Sequence, residues 1–192
     1  MYLFFDTETT GLPKKWDVPA KDLENWPRLV QIAWIYLDEN GNEISSESKI
    51  IKPEGFIIPE ESSKIHGITT QIALKKGVDL KKILLKYLEM TNKSKYLVAH
   101  NMSFDEKIIE AEFIRKKISN SLFQPKKICT KEIATEFCQI PGAYGFKWPT
   151  LSELHNKLFG NDFEDAHDAL VDVKACARCF FELKKKSVIE FE

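Results

Sequence analysis

No stretch of the 192-residue chain holds eighteen consecutive apolar residues, so no segment reads as a membrane span. The first residues carry no basic leader and no cleavage site: Tyr2-Leu3-Phe4-Phe5 meets an acid at once in Asp6. That pattern argues against a signal peptide and sets the expectation of a cytoplasmic protein without membrane contact. Cysteine is scarce. Cys129, Cys138, Cys176 and Cys179 are too few and too scattered for a disulfide framework. Cys176 and Cys179 have C-x-x-C spacing, but they sit inside a long helical pattern with no second ligand pair nearby, and read as helix-packing residues. Charge of one sign is also lacking. Twenty-eight Lys and Arg against 29 Asp and Glu leave a net charge of −1, which by itself selects no partner. A domain gripping nucleic acid by backbone charge alone is basic, whereas a site built on carboxylates and cations has no such need.

What is present is an ordinary globular composition, 43% hydrophobic and 30% charged, long enough for one domain over residues 1–192. No repeat, low-complexity tract or linker divides it. Tyr2 to Phe5 is a short apolar run that suits a strand buried on both faces. Thr9 to Pro27 reads as a long surface loop. Leu29 to Leu37 is a second strand, Asp38-Glu39-Asn40-Gly41 a tight hairpin turn, and Glu43 to Ile51 the returning strand. Ser62 or Ser63 is placed to cap a short helix ending near His66-Gly67. Asp79 caps a longer amphipathic helix carrying Ile83, Leu84, Tyr87 and Leu88. Tyr96 to Ala99 is another buried strand, Ser103 the expected cap of a helix running to about Lys117, and Lys127 to Cys129 a last short strand. Helices follow from Lys131 to about Cys138, from Leu151 to Phe159, and from about Ala166 to Lys185, with a loop over Pro141 to Pro149. This order describes an α/β domain with a mixed five-stranded sheet, three antiparallel strands and then parallel ones, and helices on its faces.

Acids stand where the apolar strands end. Asp6 and Glu8 are two residues apart, so on a strand they project to the same side, where two like charges repel. Strand ends of open α/β sheets are also where ligands bind. Tyr96 to Ala99 likewise runs into His100-Asn101, with Asp105 one turn into the next helix. Further on, Leu170, Val173, Ala177 and Phe180 form a buried helical stripe, with Asp172 beside it and His167 at the helix start. Four carboxylates from two strand ends and two helix starts supply hard oxygen ligands suited to Mg²⁺ or Mn²⁺. Two such ions about 3.5–4 Å apart serve an in-line phosphoryl displacement, and a histidine takes a proton near neutral pH.

Taken in order, Asp6-Thr7-Glu8-Thr9-Thr10-Gly11-Leu12, His100-Asn101-Met102-Ser103-Phe104-Asp105 and His167-Asp168-Ala169-Leu170-Val171-Asp172 closely resemble the three motifs of the DnaQ-like 3′–5′ exonucleases, in their DEDDh branch. Ile65-His66-Gly67-Ile68-Thr69 resembles the segment usual between the first two. The resemblance covers nearly the whole chain and implies a ribonuclease-H-like fold and two Mg²⁺ or Mn²⁺ ions. It implies that Asp6, Glu8 and Asp172 bind the tighter ion, with Asp6 bridging to the second and Asp105 completing the set. It implies His167 as general base, and Thr9, Thr10, Gly11, Leu12, His66, Asn101 and Phe104 around the 3′-terminal nucleotide.

His100 and His155 have no metal-ligand spacing and read as structural or surface residues. Tyr144, Phe146 and Trp148 suit either stacking on bases or plugging the fold beneath a loop. The expected substrate is the 3′ end of a nucleic acid, single-stranded DNA first and RNA as the alternative. From another class, a catalytically idle module that tethers a partner is disfavoured by the intact acid set. The sequence carries no readable signature of a polymerase or other protein partner.

Overall fold

The computed structural model describes residues 1–119, 125–163 and 168–189. Five strands form one sheet in the order β3-β2-β1-β4-β5: β1 (Tyr2–Thr9), β2 (Leu29–Leu37), β3 (Glu43–Ile50), β4 (Tyr96–Ala99) and β5 (Lys126–Cys129). β1 pairs antiparallel with β2, as β2 does with β3, while β1–β4 and β4–β5 are parallel. The mixed sheet expected from the element order is therefore the one observed. The central strands are apolar along their length because both faces are covered. Leu3 and Phe5 pack on one side with α3 (Leu80–Lys93) and α4 (Met102–Arg115). Tyr2 and Phe4 pack on the other with Val173, Cys176 and Phe180 of α7 (Ala169–Lys185). Cys176 and Cys179 are buried free thiols in that second layer. No helix among the described residues is long and apolar enough to cross a membrane.

Four local expectations shift. β1 runs on to Thr9, so Asp6 and Glu8 lie inside a paired strand, opposite Ala33 and Gln31, not beyond its end. The β2–β3 connection is a five-residue loop because pairing resumes only at Leu37–Glu43. The Asp38 carboxylate organises it by accepting from the Asn40 and Asn42 backbone amides and from Asn42 Nδ2. Neither Ser62 nor Ser63 caps α1 (Glu60–His66). Pro59 is the N-cap residue, Glu60 and Glu61 of the first turn place negative charge at the helix's positive end, and Ser63 Oγ instead donates to the Ile68 carbonyl. Ser103 does not cap α4 either, since that helix begins one residue before it.

Residues 10–27 form no helix or strand, yet they are tied to α4 at two points. Lys107 Nζ donates to the Trp16 and Val18 carbonyls, and the Arg115 guanidinium to those of Leu23, Trp26 and Pro27. Between these anchors Glu112, with no solvent exposure, accepts from Arg28 Nε at 2.8 Å, Arg115 at 3.0 Å and the Leu29 amide at 3.1 Å. Every buried charge there has a partner, as a low-dielectric interior requires.

Residues 141–149, expected as a loop, contain a minimal hairpin, β6 (Pro141–Gly142) with β7 (Gly145–Phe146). α2 (Thr70–Lys76), α5 (Thr130–Cys138) and α6 (Leu151–Phe159) complete the element list. The Thr150 hydroxyl and the Glu153 carboxylate close a reciprocal capping box at the start of α6.

Candidate active site

Strand alternation sorts the first motif into two sets. Asp6 and Glu8 share the face on which α7 lies, and α7 presents Asp172 one turn from its start. A carboxylate oxygen from each of the three lies within 4.8 Å of the others. Thr7, between them, points to the opposite face, where its Oγ1 donates to Asp105 Oδ1 at 2.6 Å. Asp105, 2% exposed, thus enters from α4 beneath the same strand.

Burial and mutual repulsion leave this cluster short of positive charge. Desolvation, followed by the charges of Asp105, Glu8, Asp172 and Asp168, holds the Asp6 carboxyl well above the ordinary range. Glu8 is pushed up to about 8, by burial first and then by Asp172, Asp105 and Asp168. Burial raises Asp105 to about 7, although the Thr7 hydroxyl and the Lys131 charge pull it the other way. A group of hard oxygen donors that close fits a divalent cation. Oxygens on opposite sides of one Mg²⁺ stand about 4 Å apart at its usual bond lengths. The carboxylate cluster can therefore hold a metal ion.

The model of the family described as RNase_T: Exonuclease matches residues 3–180. The chain belongs to the exonuclease family. Its domain is of the DnaQ-like 3′–5′ type, and the sequence relatives agree. DNA polymerase III subunit epsilon of Treponema pallidum is 28% identical over 185 residues, covering 92% of this chain and 73% of that protein. The PolC-type DNA polymerase III of Listeria monocytogenes is 27% identical over 184 residues, which are 96% of this chain and 11% of the larger protein. Among solved structures, E. coli exonuclease I in complex with a dT13 oligonucleotide superposes with a TM-score of 0.76 at 23% identity. It covers 96% of this chain and 40% of that one, and the likeness is one of fold.

The exonuclease's other expected site residues, His167 apart, take clear positions. Thr9 is buried, and its Oγ1 donates to the Gly11 carbonyl at 2.6 Å, closing a turn. Gly11 there adopts φ +141°, a backbone state that side chains strain against, and faces Ser62 of α1. Thr10 is engaged in structure, its hydroxyl accepting from the Arg28 amide. Leu12 stands 73% exposed beyond the turn. His66 ends α1 with its Nδ1 accepting from the Ile68 amide. Phe104 is nearly buried, its ring 5.8 Å from that of the exposed Trp16. Asn101 is the N-cap residue of α4 but gives it no side-chain cap; its Oδ1 accepts from Lys131 Nζ at 2.5 Å. His167 lies outside the described residues.

His100 is structural, as expected. Its Nε2 faces the Pro149 carbonyl at 3.0 Å and must carry the proton, so Nδ1 accepts from the Thr130 hydroxyl at 2.9 Å. Burial lowers its pKa to about 4, which keeps this tautomer neutral. His155 is also structural, held between the Asn161 carbonyl and Arg178.

Residues outside the expected set also support the site. Thr7 is one: strand alternation turns it away from Asp6 and Glu8, and its role shows only once α4 is seen to lie beneath that face. Asp168 caps α7 by accepting from the Leu170 and Val171 amides, and Gln31 Nε2 reaches its other oxygen at 3.5 Å. This cap moves the helix start from about Ala166 to Ala169. Gln31 is set by its register opposite Glu8, information that exists only once the strands are paired.

Proposed function

We propose that this exonuclease removes nucleotides one at a time from the 3′ end of a DNA strand, releasing nucleoside 5′-monophosphates with the help of two Mg²⁺ or Mn²⁺ ions. The observation that carries the reading is the meeting of Asp6, Glu8 and Asp172 within 4.8 Å, with buried Asp105 behind them on Thr7. Such ions, when bound, offset the negative charge that develops on the phosphate and ease ionisation of the attacking water. Asp6, Glu8 and Asp172 would hold the tighter ion, and Asp105 would complete the acidic set around the second. His167 accepts the proton of the attacking water. The Thr9–Leu12 turn, His66, Asn101 and Phe104 hold the terminal nucleotide, with the Gly11 backbone open to close approach. The DNA assignment follows the polymerase relatives and the oligonucleotide-bound exonuclease I named above.

End-labelled single-stranded DNA, duplex DNA and RNA, each incubated with Mg²⁺, Mn²⁺ or EDTA, test the proposal. Expected is stepwise shortening from the 3′ end of DNA that EDTA abolishes. Calorimetric titration of the protein with Mn²⁺ gives an independent readout, in which Asp6→Asn loses heat of binding. Internal fragments, or digestion that persists in EDTA, would overturn the reading. Faster shortening of RNA than of DNA would keep the chemistry and replace the substrate.

A further inference from the structure

The 141–149 segment spends three large aromatic side chains on solvent. Tyr144 is fully exposed at the tip of the β6–β7 hairpin, Phe146 is 44% exposed on β7, and Trp148 is 60% exposed on the strand's continuation. They do not plug the fold, so hydrophobic burial does not account for them. The hairpin is nonetheless firmly built. Gly145, at φ +117°, makes the turn, and the Lys147 amide donates to the Ile140 carbonyl at 2.9 Å. Lys147 reaches Glu153 of α6 at 2.6 Å, and His100 holds the Pro149 carbonyl at the exit.

The base of this hairpin connects directly to the second acidic motif. Lys131 Nζ sits 4.4 Å from the centre of the Trp148 ring and 2.5 Å from Asn101 Oδ1. Its charge is also felt by Asp105. One cation therefore links an exposed indole face to the residue that opens α4, and His100, next to Asn101, pins the same segment from its other end. Exposed π faces beside a lysine have the two features that bind single strands: bases stack on the rings without sequence preference, and phosphates seek the cation.

We propose that Tyr144, Phe146 and Trp148, with Lys131, form a stacking platform for unpaired bases upstream of the 3′-terminal nucleotide, so that the enzyme grips single-stranded DNA beyond the residue it removes. The platform rests on the exonuclease reading of the acidic site. It makes affinity depend on strand length, because a strand too short to leave the acidic site gains nothing from the hairpin.

Fluorescence anisotropy with 5′-fluorescein oligodeoxythymidylates of three, six and twelve nucleotides, in EDTA to prevent cleavage, tests this directly. Wild type is expected to bind the twelve-mer far more tightly than the three-mer. In the Tyr144→Ala/Phe146→Ala/Trp148→Ala protein that gain should shrink by at least roughly tenfold, since each base–aromatic stack contributes about 5- to 150-fold. Trp148→Tyr should retain more of the gain than Trp148→Leu, which separates ring stacking from mere apolar bulk. The side chains are exposed, so the melting temperature is a usable control for folding. Equal binding of all lengths by wild type, or a triple variant whose length dependence matches wild type, overturns the platform. If wild type shortens DNA from the 3′ end while failing either test, only the platform falls. If it shortens no strand, the exonuclease reading falls with it.

Discussion

Thr7 Oγ1 donates a 2.6 Å hydrogen bond to Asp105 Oδ1, joining strand β1 to helix α4 between residues 98 positions apart in sequence. The bond fixes the direction of the Asp105 carboxylate and stabilises its charged form where burial disfavours it. Thr7 is thus a positioning residue for the acidic cluster. Thr7→Val keeps the shape and removes the donor, so the Asp105 pKa should rise further above about 7. Manganese affinity or turnover should fall by about 10- to 100-fold, the usual cost of losing a partner behind a ligand. The acidic limb of the pH–rate profile should move to higher pH, while Thr7→Ser restores both. An unchanged profile in Thr7→Val would remove the role.

Asp6→Asn and Glu8→Gln should abolish most activity and yet raise the melting temperature in EDTA. Each removes one member of a set whose charges oppose one another. Differential scanning calorimetry with and without Mn²⁺ reads both halves: the cation should stabilise wild type and the variants much less. A variant that melts well below wild type in EDTA would mean that these carboxylates hold the fold together instead.

The pH dependence of the metal-free protein follows from the same groups. Glu8 at about 8 and Asp105 at about 7 both lie above their unfolded values, so the native state binds more protons than the unfolded one between those limits. Their relative stabilisation is complete below the unfolded pKa and is lost as pH rises through the folded one. His100, lowered to about 4, acts oppositely: its contribution is complete above about 6.5 and is lost as pH falls toward 4. Above pH 6.5 the His100 contribution is constant while those of Glu8 and Asp105 are being lost, so urea midpoints in EDTA should fall steadily from pH 6.5 to 8.5. Mn²⁺ should flatten the slope.

Glu112→Ala leaves Arg28 and Arg115 without their shared buried carboxylate and the Leu29 amide without an acceptor. Removing one partner of such a group costs about 3–5 kcal/mol. Equilibrium unfolding should show that loss, with the denaturant slope preserved. A cost below 1 kcal/mol would show that water replaces the carboxylate easily.

His167→Ala should lower the single-turnover rate by about 10²–10⁴-fold while leaving Mn²⁺ binding intact, because a general base acts on the proton and not on the ions. Calorimetric titration checks the second half. Full activity in this variant would transfer base duty elsewhere.

The sheet was legible because its strands are short apolar runs bounded by turns, and the acids because they interrupt those runs. Asp6 and Glu8 announced themselves by two-residue spacing. Thr7 did not, because a threonine between two acids becomes informative only when α4 is known to lie beneath that face. Gln31 depends on register, which no local pattern encodes. The Asn101 side-chain oxygen is likewise engaged by Lys131 from 30 residues away, a contact no local pattern encodes. Two-residue strands such as those flanking Ala143 and Tyr144 fall below the length at which alternation can be seen, and so the hairpin read as a loop.

The two cationic anchors between residues 10–27 and α4 bear on how this chain tolerates change. Five backbone carbonyls, those of Trp16, Val18, Leu23, Trp26 and Pro27, are held by Lys107 and Arg115 on the helix that also carries Phe104 and Asp105. Carbonyls are common to all residues, so the anchors ask nothing of the side chains they hold, and within the stretch identity is constrained instead where side chains are buried, as at Ala20, Asn25 and Trp26. The number of residues between anchors is not. One inserted between Val18 and Leu23 would have to bulge outward or pull the loop from its helix, and only the bulge leaves Phe104 in place beside Trp16. Substitution should be well tolerated at the exposed positions between Lys14 and Glu24 and length change poorly, the reverse of what an irregular surface segment ordinarily permits.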